Sequence, residues 1–184
     1  MLRITDNGNS EYVIIIRKNH SASEKTAAEE LAAYLKKITD AEIPVKTDDE
    51  KKTDHEIVIG FTNRGGKGKK ELGEEGFTIK TEGKRLFILG SEVRGALYGV
   101  YSVLEKCCGC RFYTDTCERV PKVNMLTVPE IDCTELPGFE YRNVYWFAQG
   151  GEMISAKLKN NGGMGHELTE RVGGGINYIG SFCH

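Results

Sequence analysis

The chain has no apolar run that could serve a membrane. Its longest stretches are a few residues, such as Val13-Ile14-Ile15-Ile16, whereas a helix needs ~20 to cross a bilayer. Nor does it carry an excess of one charge: 25 basic residues face 27 acidic ones, a net of −2. So balanced a chain sets up no field for a polyanion, and neither nucleic acid nor membrane is expected as a partner. The opening Met-Leu-Arg-Ile-Thr-Asp lacks the apolar h-region of a secretory signal. This leaves the compartment open: cytoplasm if the N-terminus is native, export if a leader has been removed. Length excludes something too. A complete (β/α)8 barrel takes ~250 residues, and 184 cannot hold one beside anything else. At 39% hydrophobic and 28% charged residues, the composition fits a soluble globular protein of about one domain.

Apolar periodicity supplies the elements. Tyr12 to Arg17 reads as a buried strand. Ser21-Ala-Ser-Glu24 has capping-box form, and behind it Ala27, Leu31, Leu35 and Ile38 recur at helical spacing. Ile43-Pro44-Val45 reads as a short edge strand. Ile57-Val-Ile-Gly60 has the pattern of a strand covered on both faces, and Arg64 to Glu75 that of a solvent loop. Phe77 to Thr81 and Leu86 to Gly90, joined at Gly83-Lys84, predict a hairpin. A second helix carries Val93, Leu97, Val100, Leu104 and Cys107 on one stripe, with Gly109 just past its end. Pro121, Pro129 and Pro137 then punctuate what looks like a linker leaving a domain. Beyond them, Tyr141 to Phe147 reads as a strand, Gly151 to Asn161 as a helix, and Gly173 to Phe182 as another strand.

Chemistry is sparse in this pattern. Cys107, Cys108, Cys110 and Cys117 are dense, but structural zinc prefers two C-x(2–4)-C pairs set well apart. Buried thiols are the favoured reading over a metal site or a disulfide. Gly60 to Lys67 has the glycine spacing of a phosphate-binding loop. Gly66, however, occupies the lysine position, and no Ser or Thr follows. His20, His55, His166 and His184 form no ligand motif, and His20 and His55 are expected on the surface. No carboxylate pair stands isolated in apolar surroundings, as a general acid would require, and no G-x-S-x-G appears. No catalytic residue, metal or cofactor is therefore expected.

Several segments together resemble a known family. They are Ile57-Val-Ile-Gly-Phe-Thr-Asn-Arg64, Gly76-Phe-Thr-Ile-Lys80, Leu86-Phe-Ile-Leu-Gly90 and Arg94-Gly-Ala-Leu-Tyr-Gly-Val-Tyr-Ser-Val-Leu104. Gly109-Cys-Arg-Phe-Tyr113, Val120-Pro121 and Pro137-Gly-Phe-Glu-Tyr-Arg142 complete the set. In combination they resemble the N-terminal accessory domain that precedes the barrel of α-glucuronidases and β-N-acetylhexosaminidases. The likeness is greatest to a glucuronidase-like family of bacterial polysaccharide-degrading proteins, and it covers roughly residues 10 to 146. Cys107 and Cys108 stand where that family usually has a leucine-like residue.

The resemblance implies an α+β fold, close to α/β: a mixed sheet with two main helices packed on it. Residues 1–136 would be this domain. Residues 137–184 would begin a TIM-like catalytic barrel, as its first strand–helix–strand. The expected function is that of a non-catalytic accessory domain of a glycoside hydrolase, inactive by itself because the family's catalytic carboxylates lie on later strands. A free-standing carbohydrate-binding or scaffold module is the alternative. By the same resemblance Arg142 would contact sugar hydroxyls, the equal alternative being a structural arginine paired with a carboxylate from a later strand; Trp146 would stack on a sugar face or pack in the core; and His184 would lie at the active-site end of the second barrel strand. The partner is carbohydrate, through the parent's barrel. Val144, Tyr145, Trp146, Phe147, Ile176, Tyr178, Ile179 and Phe182 give residues 140–184 a means of self-association.

Overall fold

A computed structural model describes residues 1–65, 70–163 and 166–176. The chain enters through β1 (Leu2–Asp6) and β2 (Val13–Ile16). All four residues of β2 are buried, as an unbroken β-branched run is inside a sheet. Ser21 then starts α1 (Ala22–Thr39) with the expected capping box. Its hydroxyl accepts from the Glu24 amide at 3.1 Å, and the Glu24 carboxylate accepts from the Ser21 amide at 2.8 Å. The strands β3 (Val45–Thr47), β4 (Glu56–Ile59), β5 (Phe77–Glu82) and β6 (Arg85–Gly90) follow. The last two are the expected hairpin, turning at Gly83 with φ +58°. Next come α2 (Gly95–Lys106), a short ladder of β7 (Arg111–Phe112) with β8 (Glu118–Arg119), β9 (Met125–Val128), β10 (Asp132–Glu135) and α3 (Glu152–Lys157).

Six strands form the main sheet in the order β10-β5-β6-β4-β2-β3. Pairing is parallel from β6 through β4 and β2 to β3, and antiparallel from β6 through β5 to β10. The fold is thus α+β with a mixed sheet. Alternation along each strand sorts the side chains between faces. Ile14, Ile57, Ile59, Leu86 and Ile88 join Leu31, Leu97, Val100 and Leu104 in the core under the helices. Val58, Phe87 and Leu89 make a small separate cluster. Each aliphatic side chain buried this way is worth ~1.5–3 kcal/mol of transfer free energy. Gly99 lets α2 lie low on the hairpin: a Cβ there would stand 2.7 Å from Ile88 Cγ2.

The structure corrects several expectations. The edge strand begins one residue after Pro44, whose carbonyl accepts from the Ile14 amide at 2.9 Å. The proline-punctuated stretch is not a linker: β9 pairs with β1, and β10 closes the edge of the main sheet beside β5. Its prolines fall outside both strands, so no ladder donor is lost. Arg64 to Glu75 is not uniformly solvent loop either, since Arg64, Leu72 and Glu75 are buried. His20 and His55 are half-buried; the His55 ring meets Tyr12 edge-on at 5.2 Å. Residues 141 to 146 are not a strand, and Phe147–Gln149 form a 3-10 turn. Among the described residues no strand pairs with this segment, and the Arg142 backbone groups bond instead to Asn161 and Gly162. The helix expected from Gly151 is present as α3, but Gly173 to Ile176 carries only an isolated bridge from Ile176 to Gly162. Asn177 to His184 lies outside the described residues.

Candidate functional site

Three buried carboxylates organise this fold, of which the sequence marks only Glu24, as a helix cap. Glu24 pairs with Arg17 at 2.8 Å, and Glu56 with Arg64 at 3.1 Å and Arg85 at 3.3 Å. The third, Glu75, sits in the loop before β5 and is 7% exposed. Its Oε1 accepts from Arg94 Nε at 2.8 Å and from Asn161 Nδ2 at 2.7 Å, and its Oε2 accepts from Arg142 Nη2 at 2.5 Å. Both carboxylate oxygens are therefore occupied by donors from distant parts of the chain. Burial without such partners would cost several kcal/mol.

The donors carry the network outward. From the start of α2, Arg94 reaches Glu74 at 2.8 Å and the Gly173 carbonyl at 2.9 Å. Gly173 has φ +86°, and a Cβ on it would lie 1.9 Å from the Val93 carbonyl oxygen, so only glycine fits. Arg142 donates Nε to the Lys159 carbonyl at 2.8 Å and Nη1 to the Phe139 carbonyl at 2.5 Å. Asn161, fully buried, also donates to the Glu140 carbonyl at 2.7 Å. Tyr98 on α2 donates to the Asn160 carbonyl at 3.1 Å; burial and then the Glu75 charge push its phenol well above the ordinary range. The α2 tyrosine and arginine are thus clasps for residues 139–174. Ile154, Ala156, Leu168 and Val172 complete the docking by joining the main core.

Trp146 lies elsewhere. A cleft of about 430 Å³ is lined by Val144 to Phe147, Gly150 and Gly151 on one side, with Asp115 and His166. Tyr145, Trp146 and Phe147 are all exposed, Phe147 completely. The hairpin of β7 and β8 grips this segment: the Asp115 amide donates to the Ala148 carbonyl at 3.1 Å, and Gln149 Nε2 to the Tyr113 carbonyl at 2.8 Å. His166 Nε2 lies 3.0 Å from the Ser155 hydroxyl. Of the three sequence candidates, the structure describes two, and it sets them apart. Trp146 lines the cleft, Arg142 is tied to Glu75 outside the cleft lining, and His184 lies beyond the described residues. Asp115 was missed because nothing local distinguishes it; its place depends on a contact between segments far apart in the chain.

The remaining candidates resolve into packing. Cys108 and Cys110 are buried in the core, Cys107 is half-buried and Cys117 exposed. Burial, then the charge of Glu118, pushes the Cys110 thiol up to about 11, and burial pushes Cys108 higher still. Among the described residues no group of three His, Cys, Asp or Glu could hold a metal. Gly60 of the phosphate-loop-like stretch packs against Glu24, and residues 66–69 lie outside the described part. A larger concavity of about 800 Å³ reaches from Phe87 and Leu89 to Asp132. Several of its charges are engaged with their neighbours: Lys80 with Glu82 at 2.8 Å, Arg64 and Arg85 with Glu56.

Comparison with known proteins bears on this geometry. Residues 3–103 match the family model described as glycosyl hydrolase family 67 N-terminus. The chain matches no curated protein sequence. Among solved structures, it is similar to a family GH115 4-O-methyl-α-glucuronidase with specificity for decorated arabinogalactans, at 16% identity and a TM-score of 0.54. That match covers 77% of this chain and 19% of the other. A β-hexosaminidase of Streptomyces plicatus (16% identity, TM-score 0.46) and a GH20 β-N-acetylhexosaminidase of Streptomyces coelicolor A3(2) (17%, 0.47) each match over 77% of this chain and 24% of theirs.

Proposed function

Because the chain belongs to the glycosyl hydrolase family 67 N-terminus family, a non-catalytic accessory part of a glycoside hydrolase, we propose that its sheet and helices support a catalytic barrel acting on a decorated polysaccharide. Residues 1–136 are the supporting domain in this reading, and 137–184 begin the barrel. The observation that carries it is the match over β1 to α2, the part that buries the core. Glu75 supports it further, since one carboxylate from the supporting domain holds both Arg142 and Asn161.

Carbohydrate is the partner, and Trp146 and His184 are its contacts on this chain. For Arg142 the geometry favours a positioning role through Glu75 over the sugar contact that the resemblance implies, because three of its donors are engaged within the chain. The bared Phe147 is where isolated copies would self-associate. Catalysis by two carboxylates falls to residues outside this chain. The test is turnover of aryl α-glucuronides and aryl N-acetyl-β-hexosaminides by the purified 184-residue chain. None is expected. Turnover that a point substitution in this chain abolishes would overturn the proposal.

A further inference from the structure

We propose that the aromatic cleft is a subsite for a neutral sugar, and that Asp115, supplied by the β7–β8 hairpin, holds that sugar's hydroxyls. This rests on the carbohydrate reading above and deepens it: the supporting domain contributes a binding side chain of its own.

A pyranose offers an apolar C–H face and a rim of hydroxyl groups. The cleft answers both. Tyr145, Trp146 and Phe147 provide the apolar surface, and a volume of about 430 Å³ falls within the ~300–1,000 Å³ usual for small-ligand sites. Asp115 provides acceptors. Its backbone amide is fixed to the Ala148 carbonyl at 3.1 Å, while its carboxylate bonds to none of the described residues. A free carboxylate beside an aromatic wall can accept from two vicinal hydroxyls, and such charge-assisted hydrogen bonds are about twice as strong as neutral ones. Gly151 makes room for it, since a Cβ there would lie 2.8 Å from Asp115 Oδ1. Of the two His166 ring nitrogens, Nε2 is engaged by Ser155, and Nδ1 lies on the side of Gly150, which lines the cleft.

Charge selects the sugar. No lysine or arginine lines the cleft, and Arg142, two residues before Val144 in the chain, is bound to Glu75. Lys37 and Lys157 share a separate concavity with Asp115 and are paired with Glu118 at 3.1 and 3.2 Å, so the carboxylate of a uronic acid in the cleft would meet Asp115 without a cation from the cleft lining, and like charges so placed are disfavoured. The cleft therefore takes a neutral residue of the polysaccharide rather than its uronate.

Trp146 is the chain's single tryptophan, so its emission reports on the cleft directly. The experiment titrates the full chain with methyl glucoside and with methyl glucuronide, a pair differing only at C6, by fluorescence and in parallel by calorimetry. Methyl glucoside is expected to bind about tenfold more tightly than the glucuronide. Asp115→Ala is expected to weaken methyl glucoside about tenfold, and Asp115→Asn to remove most of the discrimination. Neither variant removes a side-chain hydrogen bond to a described residue, and circular dichroism confirms the fold. Equal or tighter binding of the glucuronide, or Asp115 variants that bind as wild type does, would overturn the inference while sparing the carbohydrate reading. Absence of an emission change and of heat with either sugar would overturn both. A concentration-dependent emission shift that neither sugar reverses would assign the cleft to a second copy and overturn the inference.

Discussion

Replacing Glu75 by alanine is the sharpest perturbation of this fold. The substitution removes the one counter-charge shared by Arg94, whose side chain is 4% exposed, and Arg142, at 19%. It also strips Asn161 Nδ2 of one of its two acceptors. Removing one partner of a buried ion pair costs ~3–5 kcal/mol, because the charge left behind stays buried. Arg94 retains Glu74, and Arg142 has partial access to water, so the low end applies, about 3 kcal/mol. For a chain of this size that corresponds to a fall in Tm of about 6–12 °C. Circular dichroism gives the global transition, and Trp146 emission reports separately on the segment that Arg142 anchors. The emission change is expected to precede the global one in Glu75→Ala and to coincide with it in the wild type. A double-mutant cycle with Arg142→Ala isolates the pair and should show a coupling of ~1–3 kcal/mol. A Glu75→Ala loss below about 1 kcal/mol, typical of a surface pair, or strict additivity in the cycle, would refute the argument.

Three further outcomes follow from other parts of the molecule. Gly99→Ala places a Cβ 2.7 Å from Ile88 Cγ2; the ~1 kcal/mol gained in helix propensity is outweighed by overpacking of ~1–3 kcal/mol, so urea denaturation should show a net loss. Glu118 is partly buried, which alone would raise its pKa, but hydrogen bonds from Tyr34, Lys37 and Lys157 hold it below the ordinary 4.5. Its contribution to stability is thus complete above pH 4.5 and declines as the pH falls below it. Glu118→Gln should flatten that acid limb, and an unchanged limb would contradict the assignment. Iodoacetamide at neutral pH should label exposed Cys117 well before buried Cys108 and Cys110, as followed by peptide mass spectrometry.

The local half of the fold could be read from the chain because its signals are local. Ser21 and Glu24 stand three residues apart and announce α1; Gly83 with its alternating flanks announces the hairpin; Leu97, Val100 and Leu104 announce α2. What could not be read depends on pairing across distance. Nothing in Asp132 to Glu135 shows that β5 lies beside it, and its bounding prolines argue for a linker. Tyr141 to Phe147 has the composition of a strand, but strand formation needs a partner ladder, and Asn161 takes those backbone groups instead. The same holds for the site. Trp146 is conspicuous as a lone tryptophan, whereas Asp115 and Glu75 look like any surface acid until the hairpin and the clasp are assembled around them.

Hydrogen exchange on the whole chain tests the central claim, that a self-supporting body presents the segment carrying the cleft. The slowest amides are predicted in Ile57–Ile59, Leu86–Leu89 and Leu97–Leu104, with 141–149 exchanging faster than any of them despite being held by Glu75 and the β7–β8 hairpin. Protection concentrated in 141–163, with the central strands exchanging freely, would contradict it.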